Sequence, residues 1–476
     1  MSADNWCFPA VAAVCLFLVS DASNAQVSCM FAAQDHVENP LGFENRRVAD
    51  AEIAVGTERI LTCSNVFLRL LDKSGNVVQF QSPARDAETP LGDYNDSNYP
   101  DFMFPVAGNP MSGDSVVIGD PMVYFDYEDE RFWVVAVEVH IRDFTTRVHS
   151  SVHIAVSTSA TPTDWTTSWR KYHYCLWRSD QQCSNTNGVG HNQTIYVDGD
   201  TLYIAFLDDE GTERTTTLMM LDKDDLMAGT PATAHYHHAV EDNTTGHQVW
   251  GHAIAVEYDA WNNGDPVYTV ASGKKPHFPA QHQDTIYIGA IVPNGSTWGY
   301  IAHPITGVDL PEWFDNAGTS TTPGGNVAVI GRSFLHATYR PDSQVGGRIW
   351  TCHHLRDVDQ HGNPVGGNYI RWYEIHTNGW PNSNAPTIAY YGDIKIEGLE
   401  TYDPSIAVNA AGHIALTWTQ SGPNLYPEFW MGVQRSFDAP GTLGYSRKIK
   451  DSTVVRTGQK ADYSGTEPDP ENPCLF

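Results

Sequence analysis

Apolar and polar residues alternate in short runs broken by Gly, Asn and Asp. Tyr402 to Gln420 shows the pattern most cleanly. Ile406 and Val408 alternate with smaller neighbours, Asn409 to Gly412 form a turn, and Ile414 to Trp418 run back. Period-two alternation on both sides of a Gly-bearing turn predicts a β-hairpin. The same grammar recurs at Asp50–Gly56 followed by Ile60–Cys63, at Asp120–Asp126 followed by Phe132–Val137, and at Asn192–Asp198 followed by Thr201–Phe206. Weaker copies begin near Gly251 and near Gly324, where Val327–Ile330 is followed by Phe334–Thr338. A last start stands at Asp462.

Successive starts lie 59 to 79 residues apart. A hairpin repeated at a roughly constant step, with more strand-like text in each interval, predicts an all-β fold, a β-propeller of six or seven blades. A single blade cannot bury both faces of its sheet, so residues 48–476 are expected to close into one ring, preceded by a polar arm at 26–47. The seventh start is followed closely by Phe476, so the last blade is expected to be incomplete or closed by the N-terminal arm. An open edge there would invite pairing with another strand.

Composition narrows the function classes. Hydrophobic residues make up 41% of the chain, enough for a large core. Only 28 Lys and Arg stand against 57 Asp and Glu, a net charge of -29. Phosphate neutralisation needs clustered cations, so nucleic acid is excluded as the partner. The apolar run Trp6 to Ser20, ending in the small residues Ser23-Asn24-Ala25, predicts an export signal over 1–25 and a secreted, periplasmic or cell-surface protein, although no Lys or Arg precedes the run. No other stretch is long and apolar enough to span a bilayer. Removal of the signal takes Cys7 and Cys15 with it and leaves six cysteines for an oxidising compartment. Cys175 with Cys183 is the expected bridge, and Cys29 with Cys63 a second.

Several stretches together resemble exported, uncharacterised bacterial β-propellers, which are distantly similar to sialidase-like propellers. They are Ile53-Ala-Val-Gly-Thr-Glu-Arg, Leu71-Asp-Lys-Ser-Gly-Asn, Asp120-Pro-Met-Val-Tyr-Phe-Asp, Arg348-Ile-Trp-Thr, Arg371-Trp-Tyr-Glu-Ile, Pro404-Ser-Ile-Ala-Val-Asn and Asp462-Tyr-Ser-Gly. The resemblance implies fold and export and supplies no established activity. Two departures stand out. Members continue past the last motif with an aromatic strand, and they carry an Asp-Tyr pair where this chain has His191-Asn192. The chain has neither a Ser-x-Asp-x-Gly-x-Thr-Trp box nor a three-arginine set for a sialic carboxylate, so sialidase activity is not inherited.

In a propeller the first strand of each blade lines the central channel. Asp50, Asp120, Asn192 and Asp403 share one register, each followed six positions on by a turn residue (Gly56, Asp126, Asp198, Asn409). Asp462 joins them, with His191 and His252 within one residue of the same place. Carboxylates converging on one axis could hold Ca²⁺ through Asp50, Asp120, Asp403 and Asp462. They could equally give an acid–base pair, with Asp120, Asp403, His191 and His252 as the catalytic candidates. The plain alternative is that each Asp fastens its own turn by accepting nearby backbone N–H groups.

A second candidate is the aromatic and basic cluster Asp164 to Arg178. Trp165, Trp169, Tyr172, Trp177 and Arg178 could form a sugar-stacking or partner-binding platform, or pack as an inter-blade loop. His235, His237 and His238 read as a solvated turn. The first hypothesis is a monomeric, secreted recognition module for a glycan or protein, with a structural Ca²⁺. The alternative is a glycan hydrolase or lyase working through the channel-rim carboxylates and His. A third is an envelope assembly protein whose open last blade takes a partner strand.

Overall fold

Each predicted hairpin folds for a local reason. At Asn409–His413 the Gly412 N–H donates to Asn409 O, the Asn409 N–H to His413 O and the His413 N–H to Asn409 Oδ1, all at 2.9–3.0 Å. Gly412 takes φ +76°, which a side chain would resist. The register then pairs Val408 with Ile414, Ala407 with Ala415 and Ile406 with Leu416. Large residues fall on one face, packed with Trp350, Trp372 and Trp418, and small ones on the other, with Met431 and Val433.

The computed structural model describes residues 13–18, 26–32, 52–64, 67–78, 88–90, 115–142, 146–175, 189–210, 213–237, 250–257, 266–272, 285–294, 297–305, 318–323, 325–329, 334, 336–358, 364–452, 460–461, 464–469 and 476. The described residues contain six blades of four antiparallel strands each. Blade one comprises Glu52–Val55, Arg59–Ser64, Phe67–Asp72 and Glu88–Pro90. Blade two comprises Ser115–Asp126, Arg131–Arg142, Thr146–Ser157 and Trp169–Cys175. Blade three comprises Val189–Asp198, Thr201–Glu210, Glu213–Asp222 and His235–His237. Blade four comprises Trp250–Glu257, Val267–Ser272, Ile286–Asn294 and Thr297–Ile305. Blade five comprises His336–Arg340, Arg348–Val358, Pro364–His376 and Thr387–Ile394. Blade six comprises Glu400–Val408, Ile414–Gly422, Leu425–Gln434 and Tyr445–Asp451. The first strands of blades four and five also pair in parallel, Ala255 with Ala337 through Glu257 with Tyr339. Among the described residues the one α-helix is Lys223–Ala228, and no helix is long and apolar enough to cross a membrane.

Two sequence expectations change here. The start near Gly324 does not open blade five. Gly318–Thr322 and Gly325–Val329 form a separate hairpin that pairs with Lys460–Ala461 and packs on blade six through Ser320 and Ser421. Blade five opens at His336. A Gly-Gly turn between short β-branched strands looks the same in sequence whether it starts a blade or caps one.

The stretch after Asp462 does not open a blade either. Residues 464–469 form a strap between blade six and blade one. On blade six Ser464 Oγ donates to Asp403 O at 3.0 Å, and the Thr417 and Thr466 hydroxyls lie 2.7 Å apart. On blade one Val55 N–H donates to Glu467 Oε2 at 2.9 Å and Lys73 Nζ to Asp469 Oδ2 at 2.9 Å. Phe476 is buried against Met431, Val433 and Ile449 on the same face of blade six.

The expected Cys29–Cys63 bridge is not formed. Cys63 is a buried thiol in the core between blades one and two, donating to Pro121 O at 3.3 Å. The Cys175 and Cys183 side chains lie outside the described residues. His235–His237, read as a loop, is the outer strand of blade three, with His237 Nε2 2.6 Å from Trp298 O of blade four.

The strap leaves no room at Gly465. A Cβ there would sit 2.5 Å from Glu52 Oε2 and 3.0 Å from Ile53 N. Gly465→Val is therefore expected to lower the urea midpoint, at a cost of about 1–3 kcal/mol from overpacking. A midpoint equal to that of the wild type would rule out the strap as the closing element.

Candidate functional site

The axis of the ring holds a partly open cavity of about 40 Å³ lined by the first strand of every blade and by the strap. Its polar lining is Glu52, Thr194, Tyr124, His336, Thr466 and Glu467; Met122, Ile195, Ile254 and Ile406 supply apolar walls. The volume suits two or three water-sized groups.

The strands present these residues by a shared irregularity. In blades two, three, four and six the first strand carries a bulge in which two residues oppose one. Asp120-Pro121 fall between the paired Gly119 and Met122, and Asn192-Gln193 between His191 and Thr194. Gly251-His252 fall between Trp250 and Ala253, and Asp403-Pro404 between Tyr402 and Ser405. A bulge bends the strand and re-aims the side chains that follow. Asp120 and Asp403 take φ +49° and +50° there. Asp tolerates this left-handed conformation better than most residues.

Among the described residues, Asp120 and Asp403 do not line the cavity. The described walls are Met122 and Thr194 beyond the bulges of blades two and three, Ile254 and Ile406 beyond those of blades four and six, and Glu52 and His336 on blades one and five. Asp403 is buried and Asp120 partly exposed. Asp50 and Asp462 lie outside the described residues, as do the side chains of His191 and His252. Of the aromatic cluster, Trp165 and Trp169 stack on each other with centroids 5.8 Å apart and are buried in the core between blades one and two. Their faces are turned from solvent, so they offer no platform. Tyr172 Oη donates to Leu226 O at 2.5 Å and fastens blade two to the helix of blade three. Trp177 and Arg178 lie outside the described residues.

Three groups missed in the sequence do meet at the axis. His336 Nε2 lies 3.2 Å from Glu52 Oε1, both side chains largely buried. Glu467 adjoins Glu52, and burial, reinforced by the Glu52 charge, holds the Glu467 carboxyl well above the ordinary glutamate range despite the Val55 N–H bond. It therefore favours the neutral form and can donate a proton or a hydrogen bond. Glu52 had a signal: it follows Asp50 by two positions and so shares its strand face. His336 was hidden by the misplaced start of blade five, and Glu467 by a segment without strand periodicity.

No family model and no curated relative matches the chain. Among solved structures it is similar to the intramolecular trans-sialidase of Ruminococcus gnavus, at 10% identity over 79% of this chain and 86% of that one, with a TM-score of 0.39. It is also similar to the leech intramolecular trans-sialidase, at 9% identity over 79% and 65% with a TM-score of 0.41. The endo-arabinase of Bacteroides thetaiotaomicron matches at 13% identity over 68% and 95%, TM-score 0.32. At such identities the chemistry has to be argued from this chain's own residues.

The raised Glu467 makes a pH prediction. Its folded pKa lies above the ordinary value of 4.5, so the native state holds a proton that the unfolded chain has lost. Stability falls as pH rises from about 4.5 towards the folded pKa, by up to about 1.4 kcal/mol per pH unit. Glu467→Gln keeps an acceptor for Val55 N–H and removes that slope. The stability difference, variant minus wild type, should climb with pH in urea titrations from pH 4 to 8. A constant difference would show that Glu467 titrates normally.

Proposed function

We propose that the protein is a glycan-recognition propeller that takes a hydroxyl-bearing tip of its ligand into the axial cavity between Glu52, His336 and Glu467. One observation carries the reading: Glu467, whose carboxyl pKa is raised by burial and the Glu52 charge, stands beside that second carboxyl and the His336 imidazole, in a cavity of about 40 Å³. A sugar hydroxyl both donates and accepts. Neutral Glu467 supplies a donor and Glu52 an acceptor. The cavity is far smaller than the several hundred Å³ of an enclosed ligand pocket. The ring of the sugar therefore rests at the mouth, and only a substituent enters.

The same pair of carboxyl groups favours hydrolysis as a second reading. Acid–base cleavage of a glycosidic bond uses two carboxyl groups, here with Glu467, whose pKa is raised, as acid and Glu52 as base or nucleophile. His336 then orients Glu52. This places the acid–base pair on residues other than Asp120 and Asp403.

Calorimetry against a panel of neutral and acidic oligosaccharides, with reducing-end release assayed in parallel, tests both readings. Saturable binding that weakens about tenfold or more in Glu52→Gln, or about 1.4 kcal/mol, supports recognition. Release of reducing ends that is lost in Glu467→Gln supports hydrolysis. Absence of both, or variants that bind as the wild type does, would discard the axial site.

Ca²⁺ at the bulge aspartates is a separate proposal, supported by the equivalent positions of Asp120 and Asp403. Ca²⁺ bound only by the folded state must raise the melting midpoint. The rise should disappear in Asp120→Ala/Asp403→Ala. A midpoint indifferent to Ca²⁺ and chelator leaves these aspartates as turn fasteners.

A further inference from the structure

We propose that blade two carries a divalent-metal site, distinct from the axial groups, built from Glu138, His153 and His173. The three residues lie on consecutive strands, Arg131–Arg142, Thr146–Ser157 and Trp169–Cys175. His153 pairs with Ala136 on one side and with His173 on the other. Glu138 lies two positions beyond Ala136, so strand alternation brings it to the same face. That face is turned towards blade one, where Ala136, Val134 and Ala155 pack with Leu61 and Leu68.

One ligand-type atom from each residue falls within 4.8 Å of the other two. His153 Nε2 is 2.6 Å from Glu138 Oε2, and the two imidazole rings stand 5.0 Å apart at 61°. Metal–ligand bonds of about 2.0–2.2 Å place tetrahedral donors about 3.4 Å from one another. The close Glu138–His153 pair must open slightly and His173 swing inwards, movements on the order of 1 Å that side-chain rotation supplies.

The donor set selects the metal. Two imidazoles and one carboxylate suit Zn²⁺ and neighbouring first-row divalent ions, whereas Ca²⁺ asks for six to eight oxygens. Glu138 and His153 are both 2% exposed, so the site is largely dry. His173 is half-buried and marks the side from which an ion enters. Three protein donors leave a fourth position for water. A bound ion would cross-link the second, third and fourth strands of blade two, replacing a single buried imidazole–carboxylate contact.

The test is titration of chelator-treated full-length protein with Co²⁺, followed by d–d absorption, and with Zn²⁺ by calorimetry. One equivalent per chain is expected. Glu138→Gln and His173→Gln should each weaken binding at least tenfold, while His235→Gln on blade three leaves it unchanged. Melting in chelator checks that each variant is folded, and if Glu138→Gln does not fold, the half-buried His173→Gln decides alone. No saturable d–d band in the wild type, or a band that survives His173→Gln, overturns the site.

Discussion

The structure depends on how the sixth blade meets the first. Among the described residues, five of the six interfaces are sheet against sheet, each burying apolar faces that a lone blade would expose. The last is made by the strap at 464–469, which bonds to Asp403 and Thr417 on one side and to Val55 and Lys73 on the other. Its side chains carry both the closure and the chemistry. The glutamate that accepts from Val55 also enters the axial cavity, so the ring cannot close without placing a buried carboxyl beside Glu52.

At three interfaces the turn that follows the first strand of a blade serves as a second fastening level. Asp126 of blade two receives Lys223 Nζ from the helix of blade three at 3.1 Å, and Asp129 does so at 2.6 Å. Burial opposes the Lys223 charge, yet the two carboxylates outweigh it and raise its pKa. Such a pair matters more when broken than when formed, because a lone buried charge costs several kcal/mol. Arg340 at the end of the first strand of blade five donates to Asn409 O in the turn of blade six. Gly56 of blade one is pressed on Phe125 and Phe132, where a Cβ would come within 2.8 Å of both rings. One repeated position thus does a different job at each of these three interfaces.

Bulges explain why acidic residues at the start of a strand need not face the channel. Two residues opposing one shift the side chains that follow, so among the described residues the axial wall is formed by Met122 and Thr194 beyond the bulges, with Glu52 and His336 from blades one and five, rather than by Asp120 or Asp403. Only two of these four carry ionisable groups. The site's polarity is therefore lopsided, concentrated on blades one and five and on the strap.

The sequence by itself determined the all-β class, the hairpin unit and the shared register of Asp120, Asn192 and Asp403. These follow from period-two alternation and turn residues within about twenty positions, and local sterics decide them. It could not place the blade-five start, because the hairpin at 318–329 has the same local signal as a blade and differs only in what it packs on. Nor could it show that Trp165 and Trp169 face inward, since an aromatic cluster reads alike in a core and on a rim. The meeting of Glu52, His336 and Glu467 joins residues hundreds of positions apart. Only ring closure decides that contact, because burial and neighbouring charge, which set Glu467's proton affinity, exist once the strap is wedged between the first and last blades.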